Sequence, residues 1–463
     1  MAAKGIIIKR DNNRYINVGK VTSLILVALF LVSLFSLFIF YSPNASTVFP
    51  NQRYDETDES LSQNEEEVDA SEPTNTASEN QEEERTCDLF KGNWVRRTTE
   101  EPTYYTNSSC TTIPDSKNCF KHGRADSDFL NWRWKPELCE LPRFDHKMFL
   151  ELVRGKKMAF IGDSVSRNHM ESLLCLLSKE ETPKDIHKDS EDRYRTWYFP
   201  KHDFTLMMLW SRFIIVGEEQ MVNGSGSGTF DLQLDKVDDD WARELPNLDY
   251  AIISGGHWFF RVMYLHEGDN LVGCVYCGQP NVTSYNSDFP LRIAFRTAFN
   301  YINNGCKECG NKLVTVLRTF APAHFENGAW NTGGYCNKTG PTSDSEVDPA
   351  GMFEWQVRNA QMEEFEKARK EGMEKGHSFE VLDVTMAMMM RPDGHPGDHW
   401  GNKWMRGYND CTHWCLPGPV DMWSELLLEI FNKRTSLSSR GPNALDWAGI
   451  GVCDPATWAK RTL

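Results

Sequence analysis

Residues 158–177 constrain the fold more than any other stretch, because an apolar run, a break and an amphipathic segment follow one another there. Positions 158–161 form the kind of apolar run that a parallel strand buried on both faces shows. Gly162, Asp163 and Ser164 interrupt it, and after Ser166 apolar residues recur with helical spacing. The stretch therefore predicts a strand, a tight turn and a helix, with Ser164 at the turn.

A hydroxyl at such a turn points out of the sheet, next to the free backbone N–H groups of the helix start, which can stabilise an oxyanion. Ser164 is therefore a candidate nucleophile. Neighbouring residues are candidates for oxyanion or substrate binding, namely Gly162, Asp163, Arg167 and Asn168. In the alternative interpretation, Asp163 and Ser164 are ordinary N-cap residues of a strand-to-helix connection.

A second motif near the C-terminus contains the base that a serine nucleophile requires. Asp410 and His413 are three residues apart, so the carboxylate can orient the imidazole within one helical turn. Cysteines on both sides of the histidine can pin this loop covalently. His395 is the alternative base, and a disulfide-anchored surface turn is the alternative interpretation of the whole motif.

From residue 141 onward, short apolar runs alternate with helical patterns. The predicted strands are 158–161, 204–210, 250–254, 313–319 and 379–384, and the predicted helices are 291–303, 353–375 and 420–431. This alternation predicts an α/β domain over 141–463 with a parallel sheet flanked by helices. Ligands of such sheets bind beyond the carboxyl ends of the strands, which adds Gly256, His257 and Trp258 as candidates. Core or rim packing is the alternative for the last two.

The N-terminal part is predicted to lie outside this domain. A basic tail at 1–20 precedes an uncharged apolar run at 21–41 that is long enough to cross a bilayer, so we expect a signal anchor with the rest of the chain translocated. A cleaved signal peptide is the alternative. Residues 42–86 contain thirteen acidic residues against two arginines and predict a disordered stem. Most of the formal net charge of −16 therefore belongs to the stem, and no basic nucleic-acid-binding face is expected.

The 13 cysteines all follow the apolar run, as expected for disulfides in an oxidising lumen. The cysteines expected to pair are Cys87, Cys110, Cys119, Cys139, Cys274, Cys277, Cys306, Cys309, Cys336, Cys411 and Cys415. Zinc binding by the two Cys-x-x-Cys pairs, or by the Asp and His residues of 393–399, is the less favoured alternative, so no metal is expected. Glycosylation is expected at Asn107, Asn223, Asn281 and Asn337, with a further sequon at Asn44.

Residues 87–140 are rich in cysteine and aromatic residues and lack helical periodicity, which predicts a small subdomain stapled by disulfides. A disulfide-held extension packed on the next domain is favoured over an independent sugar-binding module.

The motifs GDS at 162–164 and DCTHWCLPGPVDMWS at 410–424, with CDLFKGNWV at 87–95, resemble the plant trichome-birefringence-like family over about residues 87–432. One departure is Ser424, where the family pattern usually ends in Asn. The resemblance implies a single-pass type II Golgi membrane protein. Its lumenal domain would be SGNH-hydrolase-like (Rossmann-like) and would acetylate cell-wall polysaccharides. The insertion around 266–277 is more similar to the xyloglucan branch than to the xylan branch.

The resemblance also implies roles for individual residues. Ser164 would become acetylated, His413 would be the base and Asp410 its partner. Disulfides would tie Cys119 or Cys336 to Cys411 or Cys415, and Cys453 would be the free thiol.

The resulting hypothesis is a two-step acetyl transfer with oxyanion donors near 164–165 and at Gly256. No cofactor is expected to be tightly bound. The acetyl donor would be acetyl-CoA or a donor supplied by a membrane partner. Acceptor selection is assigned to tryptophans with flat faces for pyranose rings, namely Trp197, Trp210, Trp258, Trp330, Trp400 and Trp404. A polysaccharide acetyl esterase and a non-catalytic pectin-binding protein are the alternatives.

Overall fold

The computed structural model describes residues 87–98, 101–310, 312–401 and 407–438. The strands are β1 (Gly92–Arg96), β2 (Trp132–Pro136), β3 (Lys157–Gly162), β4 (Lys184–Lys188), β5 (Tyr194–Phe199), β6 (Phe204–Trp210), β7 (Ile215–Val222), β8 (Ser225–Val237), β9 (Tyr250–Ser254), β10 (Val262–Glu267), β11 (Asn270–Val275), β12 (Val314–Arg318) and β13 (Ser378–Leu382). The α-helices are α1 (His146–Leu152), α2 (Ser164–Leu177), α3 (Asp239–Ala242), α4 (Asp288–Asn300), α5 (Phe353–Glu374), α6 (Thr385–Met389) and α7 (Asp421–Ser438).

The main sheet has seven strands in the order β13-β12-β9-β3-β6-β5-β4. The first five of these pair in parallel, whereas β5 and β4 pair antiparallel at one edge. The five predicted strands thus form the parallel part of the sheet, whereas the antiparallel strands β4 and β5 were not predicted, and the sheet is mixed. The reason is connection length: only four residues join β5 to β6, whereas a parallel pair needs a crossover of about a dozen.

The order of the parallel strands places a topological switch point between β3 and β9. The chain moves from β3 to β6 on one side and then crosses to β9 on the other. Ligand sites of open α/β sheets form where the strand order reverses in this way, outside the carboxyl ends. Gly162 at the end of β3 lies opposite Ser254 at the end of β9. This edge is therefore where the fold favours a site.

Two hydrophobic cores lie on opposite faces of the main sheet. Met158 and Phe160 pack into one core with α2 and α7, whereas Ala159 and Ile161 pack into the other with α4 and α5. This alternation follows from the two-residue period of a strand, and it explains why β3 is apolar at every central position.

A second sheet, with strand order β11-β10-β8-β7, was not predicted. Its signals are present in the sequence, because Phe230, Leu232 and Leu234 alternate with polar residues along β8. Asn223 and Gly224 form the β7–β8 turn and both have positive φ, as a two-residue hairpin turn requires.

The N-terminal subdomain packs against the α/β domain. Its β1–β2 hairpin is antiparallel, and the Trp94 indole N–H donates to the Ala387 carbonyl on α6 at 2.7 Å. The Tyr104 and Tyr105 hydroxyls donate to Glu425 and Asp421 on α7.

The twelve described cysteines form six disulfides. The pairs are Cys87–Cys139, Cys110–Cys175, Cys119–Cys415, Cys274–Cys277, Cys306–Cys309 and Cys336–Cys411. Cys175 was missing from the predicted set because it belongs to the apolar face of α2, where a cysteine is indistinguishable from an ordinary core residue. Each Cys-x-x-Cys pair closes on itself.

Several predictions lie outside the described residues, namely the tail 1–20, the anchor 21–41, the stem 42–86, Asn44, Trp404 and Cys453. Within the described ranges, the structure has no helix that combines the length and apolar character needed to span a bilayer.

Candidate functional site

Three side chains from two distant parts of the chain are joined by hydrogen bonds at the carboxyl end of β3. The His413 Nε2 atom lies 2.8 Å from Ser164 Oγ, across 249 residues of sequence. The His413 Nδ1 atom lies 2.8 Å from Asp410 Oδ2. Nucleophile, base and orienting carboxylate therefore have the mutual geometry of a serine-hydrolase-type triad.

The turn that presents Ser164 depends on its two preceding residues. Gly162 has φ +143°, and a Cβ there would lie 1.7 Å from the Ser254 carbonyl oxygen, so only glycine fits. The Asp163 carboxylate accepts hydrogen bonds from the Val165 and Ser166 N–H groups and so caps α2. The cap interpretation is thus correct for Asp163, while Ser164 lies in the first turn and faces the imidazole.

Asp410 orders both the backbone and the imidazole of its own turn. Its Oδ1 accepts the N–H groups of Thr412 and His413, while its Oδ2 faces the imidazole. Burial would raise the pKa of Asp410, but the neighbouring imidazole and these N–H groups outweigh it and hold the pKa well below its usual range. An ionised Asp410 accepts the Nδ1–H and leaves the Nε2 lone pair directed at Ser164.

Covalent and hydrogen-bonded ties hold the loop that carries His413. Cys411 is bonded to Cys336, and Cys415 is bonded to Cys119 of the N-terminal subdomain. The Leu416 N–H also donates to the Lys117 carbonyl in that subdomain. The base is therefore fixed from two sides, as a catalytic geometry sensitive to displacements of about 1 Å requires.

Asn168 was predicted as an oxyanion or substrate donor, and its position is different. It is fully buried, its Oδ1 accepts the Trp414 N–H at 2.7 Å and its Nδ2 donates to the Trp414 carbonyl at 3.2 Å. Both polar atoms of the side-chain amide are thus hydrogen-bonded to the backbone of Trp414, the residue after His413. The physical reason is that α2 and the loop pack directly on each other, which the sequence does not reveal.

Arg167 is also engaged away from the triad. Its guanidinium donates to the Asp192 and Arg193 carbonyls in the β4–β5 connection. The Val165 N–H, expected as an oxyanion donor, is used by the Asp163 cap. Within the described part of the chain, the Ser164 and Gly256 N–H groups make no hydrogen bond, so these two remain the candidate oxyanion donors.

A buried charged group underlies the turn. Asp163 is inaccessible, with His257 Nδ1 3.7 Å from its Oδ2, and the His257 ring stacks on Phe320. Burial would raise the pKa of Asp163, but His257, Arg318 and the Val165 N–H outweigh it and lower the pKa. An acceptor in this state cannot stabilise an oxyanion, so the prediction of Asp163 as an oxyanion ligand is corrected to a cap that positions Ser164.

His395, the alternative base, supports the loop instead. Its Nδ1 lies 2.6 Å from the His413 carbonyl oxygen, and its Nε2 lies 2.7 Å from His324 Nδ1. Burial lowers the pKa of both imidazoles, to about 4 for His324. The positions of Arg318 near Asp163 and of His324 next to His395 were not predicted, because each follows from packing rather than from a motif.

The tryptophans assigned to acceptor binding occupy different environments. Trp197 is buried within β5 and is corrected to a core residue. Trp210, Trp258 and Trp400 are half-buried, and Trp330 is the one exposed tryptophan among the described residues.

Comparison with known proteins agrees with this geometry. Residues 141–430 match the GDSL/SGNH-like acyl-esterase family found in Pmr5 and Cas1p, called PC-Esterase, and residues 85–140 match the PMR5 N-terminal domain. This chain belongs to the PC-Esterase family. The motifs of the family resemblance and the domain match therefore agree over most of the region that the structure describes.

Proteins with sequences similar to this chain include xyloglucan O-acetyltransferases. Xyloglucan O-acetyltransferase 4 of Populus trichocarpa is 62% identical over 76% of this chain and 82% of its own length. Xyloglucan O-acetyltransferase 3 of the same species is 53% identical over 87% of this chain and 96% of its length. Xyloglucan O-acetyltransferase 2 of Arabidopsis thaliana is 56% identical over 75% of this chain and 83% of its own length.

Proposed function

We propose that this chain is an O-acetyltransferase that transfers acetyl groups to hydroxyls of a cell-wall polysaccharide, with xyloglucan as the favoured acceptor. The observation that carries the proposal is the triad of Asp410, His413 and Ser164, in which the imidazole of His413 lies 2.8 Å from both the carboxylate and the hydroxyl. The names of the similar relatives support the acceptor.

In the first half-reaction, Ser164 Oγ attacks the carbonyl carbon of an acetyl donor while His413 Nε2 accepts the hydroxyl proton. The oxyanion lies against the free N–H groups of Ser164 and Gly256. When the bond between the acetyl group and the donor breaks, His413 returns the proton to the leaving atom. The products are acetyl-Ser164 and the deacylated donor.

In the second half-reaction, a sugar hydroxyl takes the place of the donor. His413 accepts the hydroxyl proton, the sugar oxygen attacks the acetyl carbon, and Ser164 Oγ leaves and regains the proton. Asp410 stays ionised throughout and stabilises the imidazolium that forms in each half-reaction.

The cellular setting is part of the same proposal. The chain would be a type II Golgi membrane protein anchored by 21–41, using acetyl-CoA or a donor handed over by a membrane partner. The four described sequons support a lumenal location, because the asparagine of each is exposed to solvent, where it can be glycosylated. These residues are Asn107, Asn223, Asn281 and Asn337.

The test uses the purified full-length protein with acetyl-CoA and an acetyl-free xyloglucan oligosaccharide, read by mass spectrometry. Wild type gains one acetyl group on Ser164 and transfers it to the oligosaccharide. Ser164→Ala gives neither product, while the matched control Ser166→Ala, in the same helical turn, keeps both.

Two outcomes would replace the proposal. Loss of acetyl from pre-acetylated oligosaccharide, without transfer to a sugar, would make the chain an esterase. Binding of a polysaccharide without any acetyl chemistry would make it a binding protein.

A further inference from the structure

Aromatic rings and arginines alternate along the edge of the sheet that carries the nucleophile. Arg212 Cζ lies 5.2 Å from the ring centroids of both Trp210 and Trp258. Arg261 Cζ lies 5.3 Å from the Trp258 centroid and 5.0 Å from that of Trp330. The ring centroids of Trp330 and Tyr408 are 6.4 Å apart. We call this set the aromatic row: Trp210, Arg212, Trp258, Arg261, Trp330 and Tyr408.

The aromatic row begins beside Ser164. Trp210 ends β6 and pairs with Gly162, two residues before the nucleophile. Trp258 follows the β9 end that flanks Gly162 on the other side. Both tryptophans therefore lie at the carboxyl edge where the triad forms.

The end of the aromatic row formed by Trp330 and Tyr408 is exposed and held in place. Trp330 is 39% and Tyr408 41% exposed, although large aromatic side chains normally lose most of their surface on folding. The Cys336–Cys411 disulfide joins the two segments that carry them, and the Asn409 side chain donates to the Gly334 carbonyl at 3.2 Å. The two rings therefore lie on segments that a disulfide and a hydrogen bond hold together.

The two arginines within the row have no ionic partner. Among the described residues, neither Arg212 nor Arg261 forms a hydrogen bond or ion pair through its guanidinium, and Arg212 Nε is buried. Burial lowers the pKa of each group, and the Glu219 carboxylate, which forms no ion pair with either guanidinium, only partly opposes that shift. In contrast, Arg96, which also lies over a tryptophan, is paired with Asp128. Planar N–H donors are thus left free between aromatic faces.

We propose that the aromatic row is the acceptor-binding subsite and takes an extended chain of neutral pyranose residues. Rings stack against sugar faces, and the free guanidinium N–H groups donate to sugar hydroxyl oxygens. A polysaccharide suits a row of four aromatic rings that starts at the carboxyl edge of the sheet, next to the nucleophile, whereas an acetyl group needs only the triad. The assignment rests on the acetyltransferase function proposed above.

The test measures transfer from acetyl-CoA to a xyloglucan oligosaccharide by the full-length protein. Trp330→Ala raises the KM for the oligosaccharide about threefold to tenfold, with kcat and the rate of acetyl-Ser164 formation unchanged. Arg261→Lys, which keeps the charge but loses the planar fork, raises the same KM. Trp330→Phe restores part of the affinity, and Tyr276→Ala, an exposed aromatic outside the row, changes nothing.

An unchanged oligosaccharide KM in both Trp330→Ala and Arg261→Lys would overturn the assignment. So would slower acetyl-Ser164 formation with a raised KM for acetyl-CoA, which would assign the row to the donor. Absence of acetyl-Ser164 in wild type would instead contradict the proposed function itself, so the two failures are distinguishable.

Discussion

Asn168 shows how one buried amide determines the position of a base that it does not touch. Its side chain bonds both the N–H and the carbonyl of Trp414, the residue after His413. Since α2 carries both Asn168 and Ser164, this amide ties the base loop to the helix of the nucleophile. The distance between Ser164 and His413 therefore depends on a residue one helical turn away.

Asn168→Ala is expected to lower kcat about 10- to 100-fold, because the loop loses its register and leaves a buried Trp414 N–H without a partner. The KM for the oligosaccharide stays unchanged, since the aromatic row is untouched. Steady-state kinetics measure both constants, with circular dichroism as the check on folding. A variant that keeps wild-type kcat would show that the disulfides alone position His413.

At the scale of elements, helix α7 carries two acidic residues that join the N-terminal subdomain to the α/β domain. Asp421 accepts hydrogen bonds from Tyr105 and Ser172, and Glu425 accepts one from Tyr104. Burial raises the pKa of Asp421 to about 6 and that of Glu425 to about 7, with the hydrogen bonds only partly opposing it. These carboxyl groups hold protons in the folded state that an unfolded chain would release.

The free energy of unfolding should therefore fall as the pH rises from about 4.3, the ordinary glutamate pKa, to about 7, and level off above that. The loss is on the order of 1–3 kcal/mol, visible as a lower Tm at pH 8 than at pH 5. Glu425→Gln, which keeps the shape and an acceptor for Tyr104, raises the Tm at pH 8 and flattens this dependence.

Glu429→Gln, one turn further along α7, is the matched control and should leave the pH dependence of the Tm in place. Thermal unfolding of the three proteins at pH 5, 6, 7 and 8 makes the comparison. Identical pH profiles of the Tm for wild type and Glu425→Gln would show that the pH dependence of stability does not come from Glu425.

At the scale of the whole molecule, the N-terminal subdomain holds the loop that carries His413 in place. The Cys119–Cys415 disulfide spans 296 residues, and the Leu416 N–H donates to the Lys117 carbonyl beside it. Lys117 itself forms a buried ion pair with Glu171 on α2 at 2.6 Å. The subdomain thus contacts both the loop of the base and the helix of the nucleophile.

Replacing Cys119 and Cys415 together by serine is expected to cost about 2–4 kcal/mol of stability and to lower kcat at least tenfold. The matched control replaces Cys306 and Cys309, a pair only three residues apart, and should change both quantities much less because little chain is constrained. Chemical unfolding and transfer kinetics give the comparison. Equal effects of the two double variants would remove the special role of the Cys119–Cys415 bridge.

The sequence alone determined the local parts of the site. The apolar run before Gly162, the break and the helical spacing after Ser166 are short-range signals, so the strand, the turn and the helix could be predicted close to their observed bounds. The three-residue spacing of Asp410 and His413 likewise determines that carboxylate and imidazole share one turn. Such features follow from backbone sterics and the periods of strands and helices.

Only the tertiary structure decided what these parts do to one another. It determined that the Val165 N–H and Asn168 are already occupied, that Cys175 pairs with Cys110, and that β4 and β5 close the sheet antiparallel. Each outcome depends on which surfaces meet after folding, across sequence separations that no local pattern encodes. The 2.8 Å contact between Ser164 and His413 is of the same kind, because packing and disulfides place residues 249 positions apart at hydrogen-bonding distance.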